Sequence, residues 1–223
     1  DKMSSALNST YRQPSRFEAS AYASLLGDGI YVGYGNKKFA WSNSVRYKTT
    51  RNLLGSLDTK GEYRPTFVDY QTYLTLKPNK RWELNILGNI SNNNYNFYPE
   101  DRETRFGTSE DVKSFRVYFD GQEKDVFRTY FGSAGLTYKI GDDTKLSLIA
   151  SAFKTHEQER YDIQGQYWLT QTETSENLGV GTFFQHARNY LDAHVESLKM
   201  MFNTKVKKHD IEAAFTFKNE HVT

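Results

Sequence analysis

The chain has 223 residues, of which 37% are hydrophobic and 15% aromatic, with 16 Tyr and 15 Phe. The 29 basic residues are interleaved with 27 acidic ones for a net charge of +2, which leaves no basic stripe to serve as a nucleic-acid footprint. The absence of cysteine excludes a disulfide framework and a thiolate metal site, and no apolar run is long enough for a transmembrane helix.

In chain order, residues 1 to 15 read as loop ending at Pro14. Phe17, Ala19, Ala21, Ala23 and Leu25 then form one face of a first strand, closed by Gly27, Asp28 and Gly29. After a glycine-rich stretch (Gly33, Gly35, Asn36) a second strand runs from about 38 to 49, with Phe39, Trp41, Val45 and Tyr47 in phase. Residues 50 to 67 read as loop. Val68 to Lys77 alternates Val68, Tyr70, Leu74 and Leu76 against Asp69, Gln71, Tyr73 and Thr75. Beyond a turn at Pro78 to Lys80 the alternation resumes as Trp82, Leu84, Ile86 and Ile90 against Glu83, Asn85 and Asn89. Period two around a Pro-Asn turn is a hairpin signal.

Residues 93 to 126 read as a long folded loop carrying Arg102, Arg105, Arg116, Asp111, Asp120 and Asp125 beside Tyr95, Phe97, Phe106, Phe115 and Phe119. A fifth strand (about 128 to 140) and a sixth (144 to 156, with Leu146, Leu148, Ala150 and Ala152 in phase) flank the turn Gly141, Asp142, Asp143. A second long loop covers 157 to 187. A seventh strand (about 189 to 202) and an eighth (about 210 to 220, with Ile211, Ala213, Phe215 and Phe217 in phase) flank a polar turn at Lys205 to His209.

The sequence therefore predicts an all-β antiparallel up-and-down meander of about eight strands. Short turns fall at one end and long loops at the other, the asymmetry of a transmembrane β-barrel. Phe39 and Tyr47 stand ~27 Å apart along an extended strand, or about 21 Å of height at a tilt of roughly 40°, which suits the apolar band of such barrels. Trp82 and Tyr138 fall beside short turns, where an interfacial girdle would sit. The competing reading makes these aromatics a sandwich core and the polar faces solvated sheet surface.

No catalytic, cofactor or metal set emerges. His156, Glu157, Gln158, Glu159 and Arg160 begin like a zinc-protease helix motif, but Arg160 replaces the second histidine and the segment reads as strand. Gly179 and Gly181 lack the third glycine and the βαβ context of a dinucleotide fingerprint. Gly141, Asp142 and Asp143 have turn chemistry sufficient to explain them. His156, His186, His194, His209 and His221 show no paired spacing. The expectation is a protein that is not an enzyme and uses no cofactor, with ligand-binding residues unassigned.

Leu53 to Leu74 (LLGSLDTKGEYRPTFVDYQTYL), Leu87 to Thr108 (LGNISNNNYNFYPEDRETRFGT), Tyr118 to Gly132 (YFDGQEKDVFRTYFG) and Leu178 to Ala193 (LGVGTFFQHARNYLDA) resemble the barrel domain of Gram-negative TonB-dependent outer-membrane receptors, in particular a branch with a carboxypeptidase-like regulatory domain. The resemblance covers nearly the whole chain. It implies a plugged barrel of about 22 strands that takes up a scarce ligand with energy relayed by TonB. Residues 1–223 would then be a partial barrel domain holding about eight of those strands, read as an internal piece from the bare Asp1 start and the strand pattern at His221 to Thr223. Its implied partners are outer-membrane lipid, TonB and a plug domain through the rest of the polypeptide, and an unknown small ligand, with no nucleic acid. The alternatives are a small self-closed eight-stranded barrel, a soluble carbohydrate-binding β module, and, third, an outer-membrane hydrolase. The two long loops are expected to sit together on the outer side and contribute to ligand capture, while the chain alone transports nothing.

Overall fold

A computed structural model describes residues 10–50, 61–108 and 111–223. They form eleven strands: β1 (Glu18–Ser24), β2 (Gly27–Gly35), β3 (Phe39–Thr49), β4 (Gly61–Tyr63), β5 (Thr66–Leu76), β6 (Trp82–Pro99), β7 (Arg102–Thr108), β8 (Asp111–Lys139), β9 (Thr144–Gln171), β10 (Asn177–Val206) and β11 (His209–Val222). All belong to one antiparallel sheet in the order β1-β2-β3-β5-β6-β8-β9-β10-β11, with β4 on β6 and β7 on β8. The described residues contain no helix. The fold is the all-β meander that the alternation predicts, and the sheet is open, with β1 and β11 at its edges.

Three expectations need correction. Gly27 to Gly35 is a strand and not a turn plus connector: Gly27, Gly29, Gly33 and Gly35 break the apolar alternation, yet every residue of the segment pairs with β3. The glycines admit neighbouring chains and rings. A Cβ on Gly29 would stand 2.3 Å from the Tyr22 ring, and one on Gly35 would stand 1.9 Å from the Pro14 carbonyl oxygen. The main path therefore has nine strands, not eight.

The segments 93–126 and 157–187 are not loops either. β8, β9 and β10 run for 29, 28 and 30 residues and stay paired almost throughout. β7 prolongs the line of β6 beside β8, after a break at 100–101. The break is accommodated on β8 by Gly121, whose φ of +104° is costly for any residue with a Cβ. Finally, strict alternation of short and long connections fails. The connections at 25–26 and 172–176 are short, although they lie at the end expected to carry long loops. The asymmetry resides in strand length: β9 from Lys154 to Gln171 overhangs by about 60 Å at ~3.4 Å per residue. The expected loop at 50–67 is outside the described residues at 51–60, and its remainder contains β4 and the start of β5.

Because cross-strand partners share a face, the register reads out complete rows. Near the short turns one row runs Trp82, Tyr138, Leu146, Phe202, Ala213, and the next same-face row runs Leu84, Leu136, Leu148, Met200, Phe215. The row after that is Ile86, Ala134, Ala150, Leu198, Phe217. On the other flank Phe39 pairs Leu76, Trp41 pairs Leu74, Val45 pairs Tyr70 and Tyr47 pairs Val68, so these eight apolar residues share one face as expected, whereas Phe17 and Leu25, expected in phase with Ala19 to Ala23, fall outside β1.

This apolar face is the exposed one. Leu148 is 45% exposed, Ile90 49% and Phe217 61%, whereas Thr75 on the opposite face is 1% exposed. The opposite face is polar and internally bonded. Tyr73 and Thr75 hydroxyls donate to Asn85 Oδ1 at 3.0 and 2.8 Å, Arg46 pairs with Asp69 at 2.9 Å, and serine and threonine hydroxyls couple Thr137 with Ser147 and Ser151 with Ser197. The chain before β1 lies across this face, with the Tyr11 ring stacked on Tyr73 at 4.7 Å and Gln13 accepting from Lys77. Residues of the β2–β3 turn and of β11, far apart in strand order, line one cavity of about 1270 Å³. The sheet therefore curls with its polar face inward.

Candidate ligand-facing wall

Beyond the apolar rows the inner face changes character. Moving away from the short turns, the row Tyr95, Asp125, Glu159, Asn189 is followed by Tyr63, Phe97, Glu123, Tyr161. Further out, Phe119, Gly165 and Phe183 form a row, then Val117, Tyr167 and Gly181, then Phe115 and Leu169. The rings lie over the glycines. Phe119 meets Phe183 edge-on at 6.1 Å across Gly165, and Phe115 lies 6.0 Å from Tyr167. A Cβ on Gly165 would stand 2.2 Å from the Phe183 ring, and one on Gly181 would stand 2.2 Å from Tyr167. Small residues thus make room for bulky rings from the neighbouring strands, a way of filling a sheet face that has no opposing layer.

On the outer face the Arg64 guanidinium lies 4.9 Å over the Tyr98 ring, and on the inner face, below the rings, Tyr63 packs on Phe97 at 4.6 Å and on Tyr95 at 5.8 Å. Three carboxylates converge beside them. Partial burial, followed by Asp125 and Glu159, raises the Glu123 pKa, and partial burial with Glu159 raises that of Asp125. Burial, reinforced by Tyr63 and the carboxylates, pushes the Tyr95 phenol up to about 12. Asn189 donates to Glu159 at 2.8 Å, while Asp125 Oδ1 is buried without a hydrogen-bond donor. Aromatic faces beside carboxylate acceptors suit a ligand with both apolar surface and hydrogen-bond donors.

The candidate residues divide between two faces. Tyr95, Phe97, Phe106, Phe115, Phe119, Arg102, Asp111 and Asp125 fall on the inner side by register. Arg105 and Arg116 fall on the outer side and are already engaged: their Nε atoms donate to Glu103 at 2.8 and 2.9 Å, and Ser114 donates at 3.0 Å. Those three bonds, Arg105's first, hold the Glu103 carboxyl down to about 2. Asp111 pairs with Lys113, and Asp120, on the outer face, accepts from the Gly121 amide. Sequence reasoning missed Tyr63, Tyr161, Tyr167, Phe183, Glu123 and Glu159. The period-two set Tyr161, Ile163, Tyr167 and Leu169 could have found four inner positions of β9, but its phase is opposite to that of Leu146 to Ala152 on the same strand. The two segments expected to sit together do so, since β8 from Lys113 to Val126 pairs with β9 from Gln158 to Gln171.

Among the described residues no cluster of His, Asp and Glu has the arrangement of a metal site. His156 engages Asp192 at 2.9 Å and His186 engages Asp162 at 3.1 Å, and among the described residues no hydroxyl hydrogen-bonds to either histidine. No protein-family model, curated protein or solved structure matches the chain.

Proposed function

We propose that this chain is a wall segment of a transmembrane β-barrel receptor in the Gram-negative outer membrane, whose whole takes up a small polar ligand using energy relayed by TonB. The observation that carries the reading is the inverted polarity of the sheet: large apolar side chains stand on the exposed face, and the covered, concave face is polar. In water such a surface is a large association liability, whereas in lipid it is the expected exterior of a barrel with a wet interior. Strand number supports a larger barrel than the chain could form alone. In a nine-strand meander the first and last strands run the same way, so closure on itself would need a parallel pair, while bacterial barrels are built from even numbers of antiparallel strands.

In this reading the aromatic and carboxylate wall of the overhanging strands captures ligand outside the membrane. The plug and the TonB contact belong to other parts of the polypeptide. The chain contributes neither catalysis nor a cofactor site. The test is quenching of Trp41 and Trp82 fluorescence by lipids brominated on their acyl chains, in the protein reconstituted in bilayers. Strong quenching of both supports the reading, and a protein that stays monodisperse in water without detergent and shows no quenching refutes it. Ligand uptake by the full-length receptor is then expected to fall when the 93–126 and 157–187 hairpins are shortened together.

A further inference from the structure

At the short-turn end the inner face finishes in a row of cations. One residue beyond the outward row of Trp82, Tyr138 and Leu146, the ladder sets Arg81 against Lys139, Lys139 against Lys145, Lys145 against Asn203, and Asn203 against Glu212. The period of two turns this row to the concave side, where it lines the cavity of about 1270 Å³. Like charges in direct cross-strand register oppose pairing unless something neutralises them. Arg81, Lys139 and Lys145, with Lys38 just before β3, are exposed and form no ion pair or side-chain hydrogen bond with any described residue. The carboxylates of the cavity are placed elsewhere: Glu83 with Lys77, Glu212 with Asn203 at 2.9 Å, Asp210 across from Lys205, and Asp142 and Asp143 in the turn.

The positive charge is concentrated at that end. All four connections there carry or adjoin Lys or Arg, from Lys37 and Lys38 to Lys207 and Lys208, whereas the described connections 25–26 and 172–176 at the other end have neither and include Glu173 and Glu176. Higher on the inner face the hydroxyls of Thr75, Thr137 and Ser147 are already satisfied by Asn85 or by one another. From this placement we infer that the concave mouth at the short-turn end seats an acidic polypeptide segment of a partner protein that approaches from beyond the turns. The inference rests on the membrane reading above for the compartment alone, the periplasm. Lipid headgroups lie at the right depth, one residue or ~3.4 Å past the apolar edge, but on the wrong side of the wall. Charge selects the segment's chemistry, and the sheet selects its shape. Neighbouring strands hold the three cations ~4.8 Å apart, and alternate residues of an extended chain stand ~6.8 Å apart, within reach of flexible lysine stems and a bidentate guanidinium.

The test titrates the full-length protein in detergent, at about 0.15 M salt, with a fluorescent poly-glutamate peptide, a poly-glutamine peptide of equal length, and short-chain phosphatidylglycerol. Arg81→Gln with Lys139→Gln and Lys145→Gln is expected to weaken poly-glutamate binding about tenfold or more. Lys37→Gln with Lys207→Gln and Lys208→Gln removes the same charge from the turn tips and should weaken it less than about threefold. Lys139→Arg with Lys145→Arg should retain it. No binding of poly-glutamate by the wild type, equal affinity for the two peptides, or equal losses in the two triple variants overturns the inference. So does a loss of phosphatidylglycerol binding in place of peptide binding. If Trp82 is then quenched normally by brominated lipid, the membrane reading stands and only the acidic docking site falls. Intact, row-dependent peptide binding without any quenching removes the membrane reading and leaves the docking site.

Discussion

On β9 two stretches of one strand obey opposite rules. From Leu146 to Ala152 the apolar residues point outward and Ser147 and Ser151 point inward. From Arg160 to Gln166 the outward positions are Arg160, Asp162, Gln164 and Gln166, and the inward ones include Tyr161 and the buried Ile163. β8 and β10 change in the same rows. Backbone geometry is the same throughout, so on the membrane reading proposed above the switch reports the surroundings: hydrocarbon outside the first stretch and water outside the second. In the first, solvent quality decides which face is apolar. In the second, ordinary burial does, and the inner rings shield one another across glycines.

The largest effect separating the two stretches should come from a charge on the outer face of the first. Leu148→Arg is expected to cost about 2 to 4 kcal/mol of folding into lipid, while Gln164→Arg on the overhang should change it little. Reversible denaturation from liposomes measures both, and equal costs would break the comparison. Next comes Gly121→Ala, which places a Cβ 1.9 Å from the Asp162 carbonyl oxygen at φ +104°. A cost of about 1 to 3 kcal/mol should appear as faster hydrogen exchange around β7 and β8 with membrane insertion intact. A smaller effect is expected from a Phe119→Ala and Phe183→Ala double-mutant cycle, with a coupling of about 0.5 to 1.5 kcal/mol confined to the overhang.

The smallest effects concern pH. The raised pKa values of Glu123 and Asp125 mean that their charged forms are disfavoured in the folded protein, so the overhang should gain protection as pH falls from neutrality through their folded pKa values. Asp125→Asn should mimic part of that gain at neutral pH. Glu103 has the opposite sign: its contribution is present above its ordinary carboxylate range and is lost as pH falls toward about 2. Exchange rates on β7 that rise toward pH 2 in wild type but not in Glu103→Gln would confirm the assignment.

The alternation of Val68 to Lys77 and of Trp82 to Ile90 by itself specifies strand, shared face and hairpin partner, because a period of two fits only a pleated chain and one slip would reverse the whole face. The Pro78 and Gly141 turns were equally legible, since their residues have local backbone reasons to turn. What the chain hid was everything that depends on a neighbour. Gly27 to Gly35 is extended because β1 and β3 pair with it, and its glycines are explained by the Tyr22 ring and Pro14 packed against them. The overhangs read as loops because their apolar phase inverts near Lys154 and because Arg, Asp and Gln on an exposed strand face resemble a loop in composition. The joining of Glu123, Asp125 and Glu159 with Tyr63 and Tyr95 follows from register across strands distant in sequence. Local chemistry set the period, and tertiary pairing decided which side is exposed, which is covered and which charges stand together.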